Sequence, residues 1–443
     1  MLDIKFIREH PEEVKKGIAA KGVKDVDIDR LLALDEKRRG LITEVEKRQA
    51  EQNRNSDAVA KVKAKGDGAA AKTLLEKAVE IKVEIQKLQP DLEFTQREYD
   101  ELMLRVPNVP AEDVPAGASE GDNVVIKEVW YEGNALKSRE EPYKISEEKE
   151  KQFIPPWPHD FTPRDYMDLA EKLDWIDTER AAKVSGTRFG YIKRDAALME
   201  FALVQFAFKT LAKEGFIPVV PPVMIRPDVF TKMARLTDYD KDERYYLSVD
   251  DLYLVGSAEH TLGPLHMDET LAEDKLPLRY VGFSTSFRRE AGSYGKDTHG
   301  IFRVHQFDKV EMESFTAPGE SVKEHDFIVS LQERFMQMLK IPYRVVLIST
   351  GDMGKPDARQ ADLEAWLPGQ GRYRETHTAD LMTDYQARRL NTKVRRKDGT
   401  TEFAHMNDAT AFAIGRTLIA IIENHQQKDG TVEIPEALKQ FMP

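Results

Sequence analysis

Residues 27–105 leave few options for folding. Glu, Lys, Ala, Gln and Leu dominate there, and aromatic residues nearly vanish. Leu31, Leu34, Leu41 and Val45, then Val59 and Val62, recur every three to four positions, as do Leu74, Ile81, Ile85, Leu88 and Leu92. Apolar residues at that spacing share one face of a helix. "KGDGAAA" (65–71) interrupts the pattern with Gly66 and Gly68, which break helices. Two long helices folded into an antiparallel hairpin follow, each about 50 Å long at ~1.5 Å per residue. The stretch from Gln49 to Asp57 has little to bury and reads as a tip or projecting arm. Charge is uneven along the hairpin: residues 30–65 carry ten Lys or Arg against six Asp or Glu, and residues 66–105 carry six against nine. A solvated coiled coil and a basic strip facing a polyanion both fit that distribution.

The rest of the chain is different. At 443 residues it is too long for one ordinary core, and 41% hydrophobic content supports globular packing. A net charge of -12 argues against a general basic coat but leaves room for a local basic face. With no cysteine, disulfides, thiolate metal sites and a catalytic thiol are excluded. No apolar run approaches ~18 residues, and the charged start "MLDIKFIREHPEEVKKG" lacks an apolar signal core, so no membrane partner and a cytoplasmic location are expected.

Residues 1–25 read as a short helical segment with Pro11 near a helix start. "RVPNVPAEDVPAGASEGD" (105–122) ends all periodicity. The expected division is an arm domain at 1–105, a linker at 106–125 and a second domain at 126–443. Strand candidates there are 243–249, 278–287, 301–315, 343–349 and 373–378, enough for an antiparallel sheet of hairpins. "ATAFAIGRTLIAIIENHQ" (409–426) reads as an apolar helix.

Two candidate strands carry unusual charge. With period two, Arg288 and Glu290 share a face, as do Arg303, His305, Phe307, Lys309 and Glu311. Phe302, Val304, Val310 and Met312 take the opposite, core face. Paired as a hairpin, the polar faces would form one platform under the Gly-rich loop "AGSYGKDTHG". A salt-bridged solvent face fits this pattern. So does a nucleotide site, with Phe307 stacking on a base, Glu290 accepting from an exocyclic amine and arginines meeting phosphates.

"FRREAGSYGKDTHGIFRVHQFDKVE" (287–311) resembles motif 2 of the class II aminoacyl-tRNA synthetases, specifically the bacterial-type seryl-tRNA synthetase family. "GFIPVVPP" (215–222) resembles motif 1 and "AIGRTLIAIIENHQ" (413–426) motif 3. "VGSAEHTL" (255–262), "RAAKVSGTRFGYIKRD" (180–195), "LEAWLPGQGRYRE" (363–375), "DYQARR" (384–389) and the N-terminal hairpin are also similar to that family, so the resemblance runs end to end. It implies an α+β fold, with a class II antiparallel sheet flanked by helices and preceded by a coiled-coil arm. It also implies ATP-dependent activation of L-serine to seryl-adenylate and transfer to tRNA(Ser), with tRNA(Sec) left open as a second acceptor. Homodimerisation through motif 1 is implied as well.

By motif position the resemblance assigns roles. Arg288 would bridge the α-phosphate and the serine carboxylate, Arg416 would hold the γ-phosphate, and Glu311 would take the serine ammonium and hydroxyl. Arg289, Glu290, Arg303, Val304 and Phe307 would complete the ATP site. Glu375 and Thr378 would hold Mg²⁺, whose hard oxygen ligands they suit. Ser257, Ala258, Glu259, Asp408 and Thr410 would surround serine. Gly415 fits a close backbone approach or plain helix packing. Of the histidines, none has metal-ligand spacing, and the cysteine used by the zinc site of a divergent archaeal branch is absent, which argues against zinc. Arg38, Arg39, Lys47, Arg48 and Arg54 on the basic first helix would meet tRNA, whose helices are read through backbone and shape. "KVRRK" (393–397) reads as a solvated turn.

The chain departs from the family pattern at Ser257 (usually Thr), His299 (often Arg), "THTADL" (376–381, for "ISSCSN") and Asp408 (usually Asn). These departures bear on the serine contacts more than on adenylation. Two other readings stay open: a paralog that loads a carrier protein, which the intact arm argues against, and an inactive RNA-binding homologue, which the retained Arg288, Glu290, Glu311, Glu375 and Arg416 argue against.

Overall fold

The computed structural model describes residues 1–147, 153–237, 240–291 and 299–443. Two compact units divide the chain: Met1–Ala19 with Val23–Pro107, and Ala20–Gly22 with Asn108–Pro443.

The first unit is helical. Short helices α1 (Ile4–Glu9) and α2 (Pro11–Ala20) precede α3 (Ile28–Ala64) and α4 (Gly68–Arg105). Asp27 and Asp67 cap the long helices, their carboxylates accepting from the N–H of Arg30 and Ala70. Leu31, Val45, Ile81 and Met103 are buried in the unit. The Gln49–Asp57 stretch is not a tip. It lies inside α3, where buried Asn55 donates through Nδ2 to the Leu74 carbonyl at 2.7 Å. One satisfied amide replaces the missing apolar contact, and the turn falls at residues 65–67.

The second unit is built on a ten-stranded sheet. Its strands are β1 (Val124–Glu132), β2 (Ala135–Arg139), β3 (Tyr143–Lys144), β4 (Phe216–Val219), β5 (Leu278–Phe287), β6 (Gln306–Thr316), β7 (Tyr343–Leu347), β8 (Arg359–Leu367), β9 (Arg372–Thr383) and β10 (His405–Ala413). The order is β2-β1-β7-β8-β9-β10-β6-β5-β4, with β3 against β1. Pairing is antiparallel except β5 with β4. The expected strand at 243–249 shortens to Tyr246–Leu247, and the one at 301–315 begins only at Gln306.

Helices α5 (Arg194–Lys213), α6 (Ser321–Met338) and α7 (Ile414–Asn424) cover the core face. Phe206, Phe335, Ile419 and Ile422 pack there against Val310, Met312 and Phe412. Burying each such side chain contributes about 1.5–3 kcal/mol. The apolar stretch at 409–426 is not all helix: its first residues belong to β10, and α7 starts at Ile414.

Two of the sheet's bulges lie beside a pocket. Val310 pairs with Phe412, but Glu311 pairs with Thr410, so Ala411 is an extra residue in β10. Leu363 pairs with His377 and Glu364 with Glu375, so Thr376 is extra in β9. From the core side, Gln332 of α6 donates to the carbonyls of Thr378 and Thr410 at 2.9 and 2.8 Å and ties both strands together.

Candidate active site

On the other face of β6, β9 and β10 the sheet floors a pocket with two chemically distinct ends. Twelve of the residues expected at the site line it: Glu259, Arg288, Glu290, Arg303, Val304, Phe307, Glu311, Glu375, Thr378, Asp408, Thr410 and Arg416.

The cationic end combines rings and guanidinium groups. Arg288 lies over the Phe307 ring at 5.3 Å, and its Nε donates to the Gly256 carbonyl at 3.1 Å. Arg303 Nη1 donates to Glu290 at 3.2 Å. Glu290 adopts a left-handed φ of 52°, a costly conformation for a residue with a Cβ. Arg416, from the first turn of α7, donates through Nη1 to Glu375 Oε1 at 2.7 Å and lies over the Phe302 ring at 4.6 Å. Arg374 covers the same ring at 3.6 Å. Periodicity alone places Phe302 and Val304 on the core face; both do pack on the core, and both also line the pocket, where the resemblance puts Val304. Residues 301–305 are not a regular strand, so the two-residue phase does not extend back to them. Most of the loop thought to cover this end, residues 292–298, lies outside the described residues.

Glu375 and Thr378 stand three residues apart and would face opposite sides of a regular strand. The extra Thr376 puts both on the pocket side. Their donor set, a carboxylate and a hydroxyl, is all oxygen and suits Mg²⁺. Glu375 is 46% exposed toward the open pocket. The surrounding pocket walls oppose its charge, but Arg416, Arg288 and Lys309 outweigh them and hold the carboxyl below its ordinary range. A Cβ on Gly415 would meet the Ile301 carbonyl at 3.5 Å, an ordinary contact, so helix packing does not require glycine there. Gly415 instead keeps a stretch of pocket wall free of a side chain.

The other end is a row of carboxyl groups. Cross-strand register sets Glu311 beside Thr410, Glu313 beside Asp408, and Asp408 beside Asp380. Oxygens of Glu259, Glu311 and Asp408 lie within 4.8 Å of one another, close enough to share a cation. Lys309 Nζ donates to Glu311 Oε1 at 2.8 Å and to Ser257 Oγ at 3.3 Å. Thr410 Oγ1 donates to the same Glu311 oxygen at 3.5 Å, while Glu311 Oε2 has no hydrogen-bond partner among the described residues. Burial, opposed by Lys309, pushes Glu311 up to about 7. Burial raises Glu313, Asp380 and Asp408 well above the ordinary range. For Glu259, burial is outweighed by Arg235, His260 and Lys309, which keep it ionised.

Three expected residues are not in the lining. Arg289 turns its guanidinium onto Tyr245, 5.1 Å from the ring centre. Ser257 and Ala258 are fully buried behind the pocket, at the start of the short helix Glu259–Leu262. Conversely, the sequence assigned no role to Arg235, Lys309, Thr376, Asp380 or Ala413, which all line the pocket. Lys309 sits on the alternating face that already held Phe307 and Glu311, so that pattern carried its signal. Arg235 comes from a segment with no recognised motif. His260 is structural: its Nδ1 accepts from the Gly256 N–H, and burial lowers that ring to about 3.

Residues 1–110 match the seryl-tRNA synthetase N-terminal domain, and residues 245–425 match the class II tRNA synthetase core domain of the G, H, P, S and T enzymes. A serine--tRNA ligase of Thermobifida fusca is 40% identical over 442 residues, covering all of this chain and 97% of that protein. The crystal structure of seryl-tRNA synthetase from Pyrococcus horikoshii complexed with ATP superposes with a TM-score of 0.87 at 40% identity, covering 100% of this chain and 98% of that one. The cytoplasmic serine-tRNA ligase of Naegleria fowleri in complex with AMP gives 0.83 at 30% identity, covering 100% and 97%.

Proposed function

The chain belongs to the seryl-tRNA synthetase family, a class II aminoacyl-tRNA synthetase family, and from that premise we propose that its pocket activates L-serine with ATP and passes the seryl group to tRNA(Ser). The observation that carries this reading is the two-ended pocket: aromatic rings and arginines at one end, hydroxyl and carboxyl groups at the other.

The nucleotide takes the cationic end. Adenine stacks on Phe307, with Glu290 accepting from its amine, and Arg288, Arg303 and Arg416 meet the phosphates. Serine takes the carboxyl end, its ammonium near Glu311, Glu259 and Asp408 and its hydroxyl within reach of Thr410. A serine carboxylate is already ionised at neutral pH, so attack on the α-phosphate needs no general base. One carboxylate oxygen forms the new bond to phosphorus as the bond to pyrophosphate breaks. The protein's contribution is alignment and relief of anion repulsion, supplied by Arg288 between the reactants and Arg416 further along the phosphates. Mg²⁺, held by Glu375 with Thr378 beside it, would neutralise phosphate charge. The terminal ribose hydroxyl of tRNA then takes the seryl group and AMP leaves. A site that hydrogen-bonds a substrate hydroxyl refuses the analogue lacking it by roughly 10⁴, so alanine is rejected.

The helical unit serves as the tRNA arm. Arg38 and Arg39 are spent on buried Asp35, and Arg48 on Glu44, Glu51 and Glu84. Lys47 and Arg54 are exposed along α3 and offer themselves to RNA phosphate. A homodimer fits the apolar surface around motif 1, where Phe201 is 61% and Val220 81% exposed, with Leu198, Ile217 and Met224 also exposed.

Pyrophosphate exchange with a panel of amino acids, followed by charging of tRNA(Ser) and tRNA(Sec), tests the whole reading. Serine-dependent exchange with charging is the expected result. Exchange without charging would point to a carrier-loading paralog, and no exchange to an RNA-binding protein.

A further inference from the structure

Beneath the carboxyl end lies one guanidinium group whose role the two-step chemistry does not explain. Arg235 follows Ala234, which holds a left-handed φ of 58° despite its Cβ. That turn is fixed from both sides: the Arg235 N–H donates to the Phe230 carbonyl at 3.4 Å, and Gln386 Nε2 donates to the Met233 carbonyl at 3.0 Å. The side chain so delivered reaches four buried carboxyl groups. Nε is 3.1 Å from Glu259, and Nη2 is 3.3 Å from Asp380, 3.5 Å from Asp408 and 4.0 Å from Asp357. Two of these, Asp380 and Asp408, stand where the chain departs from its family's pattern.

The geometry divides the acceptors. Glu259 Oε1 faces Arg235 and His260, and its Oε2 takes the Ser257 hydroxyl at 3.5 Å. Asp408 Oδ2 has no hydrogen bond and meets the Arg235 guanidinium instead. Without that cation, the ionised Glu259 would lose its buried counter-charge and Asp408 and Asp380 their shared neighbour, so the acceptors for an ammonium group would lose their arrangement. Lys309 cannot substitute, because it is committed to Glu311 and Ser257.

We propose that Arg235 is a positioning residue for the amino acid: by pairing ionically with Glu259 along one edge and with Asp408 and Asp380 along the other, it fixes which carboxylate oxygens face the substrate's ammonium and hydroxyl groups. The role rests on the serine-activating reading above. It acts at the amino-acid end alone, since the nucleotide end is built from Arg288, Arg303, Phe307 and Arg416. A lysine keeps the charge but cannot fork between Glu259 and Asp408.

The test is pyrophosphate exchange by the full-length chain and its Arg235→Lys and Arg235→Gln variants, with KM measured separately for serine and ATP and with alanine as competitor. Arg235→Lys should raise KM for serine about tenfold, leave KM for ATP within twofold, and narrow the preference for serine over alanine by at least fivefold. Arg235→Gln should do the same more strongly. If it loses its cooperative melting transition, Arg235→Lys alone decides. A serine KM within twofold of the parent, or serine and ATP KM values rising together, would overturn the role. If the parent exchanges with another amino acid, the substrate reading fails, but the same KM split with that amino acid still decides Arg235. Exchange with none overturns both.

Discussion

Arg416 Nη1 and Glu375 Oε1 lie 2.7 Å apart, joining the first turn of the last long helix to a bulged strand of the central sheet. On the proposed reading, the pair holds in register the cation that would meet phosphate and the carboxylate that would hold Mg²⁺. Glu375 is partly exposed, so the pair itself adds little to stability. Arg416→Ala is therefore expected to lower serine-dependent pyrophosphate exchange on the order of 10²-fold or more, with the melting temperature almost unchanged. Exchange near the parent rate would remove Arg416 from the chemistry.

On the proposed placement of serine, Glu311 ties its binding to pH. Its carboxyl loses its proton as pH rises through about 7, because burial outweighs Lys309. An ammonium ion prefers the ionised form, so protons compete with serine below that value. KM for serine at saturating ATP should fall as pH rises from 6 toward 8, approaching tenfold per unit on the acidic side. Glu311→Gln should weaken serine and flatten the profile. A profile unchanged by that substitution would assign the titration to another group.

The arm makes a prediction about charge alone. Lys47 and Arg54 are exposed on α3, unlike the paired Arg38, Arg39 and Arg48. Lys47→Glu with Arg54→Glu should raise KM for tRNA(Ser) at least tenfold and reduce its salt dependence, since fewer counterions are released. Pyrophosphate exchange should be unaffected. Deleting residues 30–104 should go further and abolish charging while exchange persists. Charging at normal efficiency by either variant would refute the arm's role.

Phe201 offers a test of self-association. It stands 61% exposed on α5, beside apolar Leu198. Phe201→Glu should shift sedimentation from dimer to monomer at micromolar concentration, because a charge at the centre of an apolar contact must be desolvated. A parent chain that sediments as a monomer would dispose of the dimer outright.

The sequence revealed most where the backbone is regular. The hairpin follows from helical spacing alone, and Phe307, Lys309 and Glu311 share a face because β6 keeps its period through them. The failures lie where the period breaks. A two-residue period carried back through the irregular segment 301–305 predicts a core position for Phe302, which packs on the core yet also lines the pocket. The start of the motif 3 helix was read five residues early, because a buried strand and a buried helix are equally apolar. Glu375 and Thr378 could be paired only by resemblance, since three-residue spacing in a strand predicts opposite faces. Arg235 had no local signal: its role depends on carboxyl groups from four distant segments.

The extra Ala411 in β10 allows a single strand to serve two purposes. Asp408, Thr410 and Phe412 are evenly spaced and would ordinarily project the same way, yet the first two line the pocket and the third lies among Phe206 and Phe335. Removing that residue would force a choice between a wet Phe412 and a buried Thr410, with no gradual path between the two. Lineages of this fold should therefore alter either residue far more readily than they shorten the strand.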